Sequence, residues 1–185
     1  MTEQIEHEIK LPYDSPSAAR QAVMDTGAKP LRPRRLQSDF LLDHDVKPLS
    51  DHMNTLRVRF DGDHSYVTFK GKPQLGITKA REELETVVGD ASTLLLLFER
   101  LGFRIWFRYQ KYREEFRHGD LVIAIDESPI GTFIELEGPE SDILAMATAL
   151  KRHSTDFIRD SYLALFRQHC SDTGSPTDHM LFNGP

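Results

Sequence analysis

Glutamates, lysines and arginines recur along this chain at intervals of two residues, and they are the side chains with the most chemistry to offer. Glu6, Glu8 and Lys10 open the series. Arg57 and Arg59 follow, then Arg81, Glu83 and Glu85, then Lys111 and Arg113, and finally Glu135 and Glu137. Lys70 and Asp126 stand in two further segments of the same kind. Carboxylates in such numbers bind hard divalent cations. Lysine and arginine bind phosphate oxygens, arginine through two parallel hydrogen bonds. A site that offers both suits a metal–polyphosphate complex.

Residues two apart share a face only where the backbone is extended. The intervening positions are apolar: Ile5, Ile9 and Leu11, then Val58 and Phe60, Leu84, Tyr112, Ile134 and Leu136. This period of two predicts strands over 3–11, 35–43, 55–61, 64–71, 81–88, 104–117, 120–127 and 131–138. Asp61-Gly62 and His118-Gly119 read as tight hairpin turns, since glycine supplies the positive φ they need. Joints this short require antiparallel neighbours.

A sheet with one wet face would account for any single strand of this type. It does not account for the repetition, because a solvated face would also use Ser, Thr, Gln and Asn. A barrel of about eight strands is wide enough to hold a small ligand. Charges inside it must neutralise one another, a ligand or metal ions, because unpaired buried charge is costly. The expected fold is therefore α+β: a closed antiparallel eight-stranded β-barrel with helices packed on the outside. Ser15-Pro16 reads as the start of a helix that stops near Gly27. Asp90 or Ser92 starts a second that ends at Gly102, and two more are expected at about 139–152 and 155–168. Residues 1–168 read as one domain, with a flexible tail over 169–185.

Composition narrows the function. The formal net charge of −6 gives no general basic field for nucleic acid or an anionic membrane. The one basic run, Arg32-Pro33-Arg34-Arg35, reads as a solvated loop. Cys170 is the sole cysteine, so disulfides within the chain and Cys-based zinc sites are excluded. Without a signal pattern at Met1–Glu6 or an apolar run of membrane-spanning length, a cytoplasmic setting is expected. Asp43-His44-Asp45 reads as a loop at the barrel mouth rather than a metal site. The segment from Gly71 to Gly76 reads as a loop between strands, and no GxxxxGK[ST] cradle exists.

The ordered set of motifs resembles the CYTH domain, the triphosphate tunnel metalloenzymes. Glu6-x-Glu8-x-Lys10 resembles that family's signature. The likeness continues through Gln37-x-Asp39, Leu56-Arg57-Val58-Arg59, Thr68-Phe69-Lys70-Gly71, Arg81-Glu82-Glu83-Leu84-Glu85, Lys111-x-Arg113, Ile125-Asp126 and Gly131-x-Phe133-Ile134-Glu135-Leu136-Glu137. Ser161-Tyr162 is also similar. His7 departs from the family's usual apolar residue and reads as a packed or partly exposed side chain. The resemblance implies divalent metal held by Glu6, Glu8, Glu135 and Glu137, with acid from Glu83 and Glu85 in the same tunnel and Asp126 grouped with them. It implies triphosphate binding by Lys10, Arg57, Arg59, Lys70, Arg81, Lys111 and Arg113. Lys70 matches a family lysine that acts on the attacking water, which makes it the candidate base; a charge clamp is the other reading. All-oxygen donors suit Mg²⁺ or Mn²⁺. The expected activity is metal-dependent hydrolysis of tripolyphosphate, thiamine triphosphate or ATP. The alternatives are a class IV-type adenylyl cyclase, which forms cyclic AMP and pyrophosphate, and a non-catalytic triphosphate- or polyphosphate-binding module. A homodimer is left open.

Overall fold

The computed structural model describes residues 5–176 and 178–182. In chain order the elements are β1 (Ile5–Tyr13), α1 (Pro16–Asp25), β2 (Lys29–His44), β3 (Thr55–Asp61), β4 (His64–Lys70), β5 (Gln74–Leu75), β6 (Lys79–Val87), α2 (Ala91–Arg100), β7 (Phe103–His118), β8 (Leu121–Ser128), β9 (Gly131–Glu137), α3 (Glu140–Ala149) and α4 (Tyr162–Thr173). Single 3₁₀ turns occur at Ser50–His52 and Ser154–Asp156.

Hydrogen bonding runs β1-β9-β8-β7-β2-β3-β4-β6, and β6 pairs back onto β1. Eight antiparallel strands therefore close into a barrel, as expected from the alternation. The two-residue β5 adds only to the end of β6, at Lys79 and Ala80. Gly62 (φ 62°) and Gly119 (φ 60°) make the two tight turns, where a positive φ favours glycine.

The apolar faces point outward, and helices cover them. Ile9, Leu11, Phe116, Ile123, Ile125, Ile134 and Leu136 are buried beneath α1 and α3. Each such aliphatic side chain contributes about 1.5–3 kcal/mol when fully buried. α2 covers Leu42 and Val58 through Ala91, Leu94, Leu95 and Phe98. The Ser15 hydroxyl accepts from Ala18 N at 3.2 Å and starts α1; Asp90 caps α2 in the same way.

Two sequence expectations are corrected. The basic run Arg32–Arg35 is not a loop, because β2 begins at Lys29. Pro30 and Pro33 sit where the β2–β7 register shifts, and prolines at such irregularities are what disguised the strand. The last helix does not span 155–168. Phe157 is extended, Ile158 pairs with Lys10 of β1, and the helix starts only after Ser161, whose hydroxyl accepts from Ala164 N. It then runs on to Thr173, beyond the boundary at 168. Met180, placed in the expected tail, is fully buried: its N–H donates to Arg108 O at 3.0 Å and its carbonyl accepts from Gln110 N at 2.8 Å. β8 pairs with β7 only from Tyr112 onward, so residues 178–182 lie along the stretch of β7 that β8 leaves open.

Candidate active site

Because alternate residues of a strand face opposite ways, the charged series of every strand enters the lumen. The barrel encloses a cavity of about 300 Å³. Of the fourteen sequence-predicted site residues, all but Asp126 line it. α4 lies across the end of the barrel that holds Phe107, Tyr109 and Phe133, and Tyr162 at its start reaches the cavity.

Near α4 the charges are paired in a buried chain. Asp126 accepts from Lys111 Nζ at 2.8 Å, from Arg113 at 2.7 and 2.6 Å, and from the Tyr162 hydroxyl at 2.8 Å. Asp126 is fully buried, does not line the cavity, and is occupied by these four donors rather than turned to the lumen. Arg113 also donates to Glu135 at 2.6 Å, Glu135 pairs with Lys10 at 3.1 Å, and Lys79 donates to Glu8 at 2.6 Å. Burial depresses the Lys111 ammonium to about 8, reinforced by the neighbouring Arg113 and opposed by Asp126.

On the β3–β4 wall, Asp39 accepts from Arg59 Nε at 2.8 Å. Arg57 reaches Thr68 at 3.1 Å and Glu85 at 3.3 Å. At the end of β7 away from α4, Asp61 holds Arg35 through both carboxylate oxygens (2.6 and 3.1 Å) and Arg32 at 2.8 Å, while Glu115 accepts from Arg35 at 2.9 Å.

The third cluster is acidic. Glu6, Glu83 and Glu137 come from β1, β6 and β9, the strands that close the barrel. Lys70 Nζ donates to Glu6 at 3.1 Å and also to Glu83. Burial pushes Glu83 up to about 7, aided by its contact with Glu6; burial and the charges of Glu6 and Glu135 push Glu137 to about 8. Burial opposes ionisation of Glu6, yet Lys70 outweighs it and holds Glu6 below the usual range. Burial would likewise lower Lys70, but the charge of Glu6 leads a net rise. Lys70 is thus an ammonium ion here.

Among the described residues, no three His, Cys, Asp or Glu side chains stand in ready coordination geometry. The donor chemistry nonetheless fits a hard divalent cation. Three carboxylates face one another with Lys70 among them and Arg57 3.7 Å from Glu83, and burial together with their mutual repulsion raises Glu83 and Glu137 above the usual carboxylate range. A cation held by Glu6, Glu83 and Glu137 would relieve that repulsion.

Opposite charges leave certain donors idle. Among the described residues, Arg81, only 7% exposed, turns Nε and Nη2 to no acceptor, and Arg57 Nε is also without a hydrogen-bond partner. Burial lowers the affinity of Arg81 for its proton, with Glu8 and Glu83 opposing. Buried, unsatisfied guanidinium N–H groups beside a cavity are what an anion would engage.

Sequence reasoning missed Lys79, Gln37, Asp61, Arg32 and Glu115 as cavity-lining residues, and Arg35 as the partner of Asp61 and Glu115. Carrying the alternation of Arg81, Glu83 and Glu85 back two residues would have found Lys79. The same step from Asp39 gives Gln37 and Arg35. His7 shares a hydrogen bond with Thr78 Oγ1 at 2.9 Å and is partly exposed, the placement expected of it. Asp43 caps the loop after β2 by accepting from Leu49 N at 2.6 Å and Ser50 Oγ at 2.7 Å, a structural role.

Known proteins share this architecture. The chain is 29% identical to a candidate adenylate cyclase of Methanocaldococcus jannaschii over 172 residues, covering 87% of this chain and 98% of that protein. A solved candidate adenylate cyclase from Vibrio parahaemolyticus superposes with a TM-score of 0.77 at 18% identity, over 90% of this chain and 99% of that one. A Hippeastrum structure, described as a candidate adenylyl cyclase with a dominant triphosphatase activity, gives a TM-score of 0.63 at 21% identity over 95% and 99%. The CYTH domain pattern matches residues 4–162, and with the barrel and its paired acids and bases in view, the chain belongs to the CYTH domain family.

Proposed function

We propose that this protein is a divalent-metal-dependent enzyme that hydrolyses a triphosphate bound in the barrel lumen. Members of the family are metal-dependent enzymes of triphosphatase or adenylyl cyclase type. The observation that carries the reading is the idle guanidinium fork of Arg81 on β6, the strand that also supplies Glu83 of the acidic cluster. A phosphate chain has acceptors for that fork, and a cation held by the glutamates offsets its remaining charge.

In this reading Arg57, Arg59, Arg81 and Lys10 orient the triphosphate, and Arg113 and Lys111 continue the basic wall toward α4. Mg²⁺ or Mn²⁺, when bound, neutralises phosphate charge and polarises the bond to be broken. Glu6, Glu83 and Glu137 would hold it. Proton transfer from water needs a base near neutrality. Without metal, Glu6 and Glu83 hold Lys70 in its charged form, which supports a charge-clamp role, while burial and Arg113 favour the neutral form of Lys111.

Cyclase chemistry is the second reading, supported by the names of the Methanocaldococcus and Vibrio relatives. The Hippeastrum description supports hydrolysis. Purified protein is incubated with tripolyphosphate, thiamine triphosphate and ATP, each with Mg²⁺ or Mn²⁺. Metal-dependent orthophosphate release is expected. Cyclic AMP with pyrophosphate from ATP would establish the cyclase instead. Binding without turnover of any of the three would leave a binding module.

A further inference from the structure

One lumen-lining side chain has the opposite need to Arg81. Gln37 on β2 is 1% exposed and lines the cavity, and among the described residues its Oε1 has no hydrogen-bond donor. The orientation of the amide is set by chemistry: its nitrogen faces the Asp61 carboxylate, which can only accept. Its register partners are Asp61 on β3 and Lys111 on β7. Asp61 is taken up by Arg32 and Arg35, and Lys111 Nζ turns to Asp126. Among the described residues no donor is left for Gln37 Oε1. Two residues along the same strand face, Asp39 Oδ2 is a second buried acceptor without a partner.

The strand order gives this acceptor a position. Around the eight-stranded circuit β2 stands four strands from β1, so Gln37 faces across the lumen from the strand of Glu6, Glu8 and Lys10. Further along β2 and β8, toward the end away from α4, the lining includes the aliphatic Leu31 and Val122. Ionised phosphate oxygens accept hydrogen bonds and would not satisfy Gln37. A hydroxyl or an amine would.

We infer that Gln37 is a specificity residue: its Oε1 recognises a hydrogen-bond donor on the non-phosphate part of the substrate, so that an organic triphosphate is preferred to inorganic tripolyphosphate. The inference rests on the triphosphate reading of the lumen and adds the substrate class. A site with a buried acceptor rejects an analogue that lacks the donor, because the acceptor then stays unpaired.

The test compares four ligands by calorimetry in the cold with Mg²⁺: ATP, 2′,3′-dideoxy-ATP, purine riboside triphosphate (which lacks the 6-amino group) and tripolyphosphate. Wild-type protein should bind ATP about tenfold more tightly than one of the two analogues, the effect of one neutral hydrogen bond. Loss with the dideoxy analogue places the donor on the sugar; loss with purine riboside triphosphate places it on the base. Gln37→Met keeps the volume and removes the acceptor. It should abolish that tenfold difference while tripolyphosphate affinity stays within about twofold, which also reports that the lumen has folded. Equal wild-type affinity for ATP and both analogues overturns the inference, with no variant needed. So does an equal loss of ATP and tripolyphosphate binding in Gln37→Met, or a difference that persists in it. These outcomes leave triphosphate binding standing; no binding of any of the four overturns that reading and this one together.

Discussion

Arg81 and Arg34 differ in what surrounds their guanidinium groups. Arg34 stacks on Tyr112 on the outer face and pairs with Glu127 at 2.6 and 2.9 Å, whereas Arg81 holds idle donors at the cavity. Arg81→Ala should weaken triphosphate binding about tenfold to a hundredfold, and Arg34→Ala by less than about twofold, in calorimetric titrations. Equal losses would mean a diffuse field rather than a lumen site. The two lysines are separated by a substitution that keeps charge but cannot release a proton. Lys70→Arg should retain most turnover, while Lys111→Arg should collapse it and hold substrate affinity within a fewfold. The turnover–pH profile should rise through about pH 8 as Lys111 deprotonates. A profile without that limb, or collapse in Lys70→Arg alone, restores Lys70 as the base. The residue types and spacing made the acids and bases legible in the sequence. Which of them neutralise one another was not, since Asp126 and Glu83 look alike as letters and differ only in the number of cations across the lumen.

At the scale of elements, the strands were legible because lumen and exterior impose opposite chemistries on alternate residues. β2 was half missed because its prolines mimic a loop, and α4 was misplaced because the apolar Phe157 and Ile158 suit an extended segment as well as a helical face. The C-terminal segment carried no pattern at all, since one buried side chain sufficed to anchor it. Met180 touches the cluster of Phe107, Tyr109, Phe166 and Cys170 that seats α4. Met180→Ala should cost about 2–4 kcal/mol, read as a melting temperature lower by about 5–15 °C. α4 also carries Tyr162 to Asp126. The substitution should therefore lower turnover at temperatures where the protein is still folded, and an unchanged melting temperature would show that the segment is not anchored.

For the whole molecule, the lumen is a store of opposed charge whose balance depends on pH. Glu83 and Glu137 have folded pKa values raised to about 7 and 8, so their contribution is fully present near the ordinary carboxylate value and is lost as pH rises through 7 and 8. Metal-free protein should melt at a lower temperature at pH 8 than at pH 6, and Mg²⁺ should restore more of the loss at pH 8. Glu83→Gln with Glu137→Gln should flatten that dependence and raise the metal-free melting temperature at pH 8 by a few degrees. Glu135→Gln should lower it, because it strands Lys10 and Arg113 without their partner. A melting temperature independent of pH between 6 and 8 would sink this account. The seam of the barrel sets a timetable as well. β1 pairs with β6 and β9, so Glu8 meets Glu137 only when nearly the whole chain is in hand. Such distant pairings are slow to form. During refolding, fluorescence from the sole tryptophan, Trp106 on β7, should therefore recover before the capacity to bind Mg²⁺, and the acidic cluster should be among the last parts of the molecule to come into being.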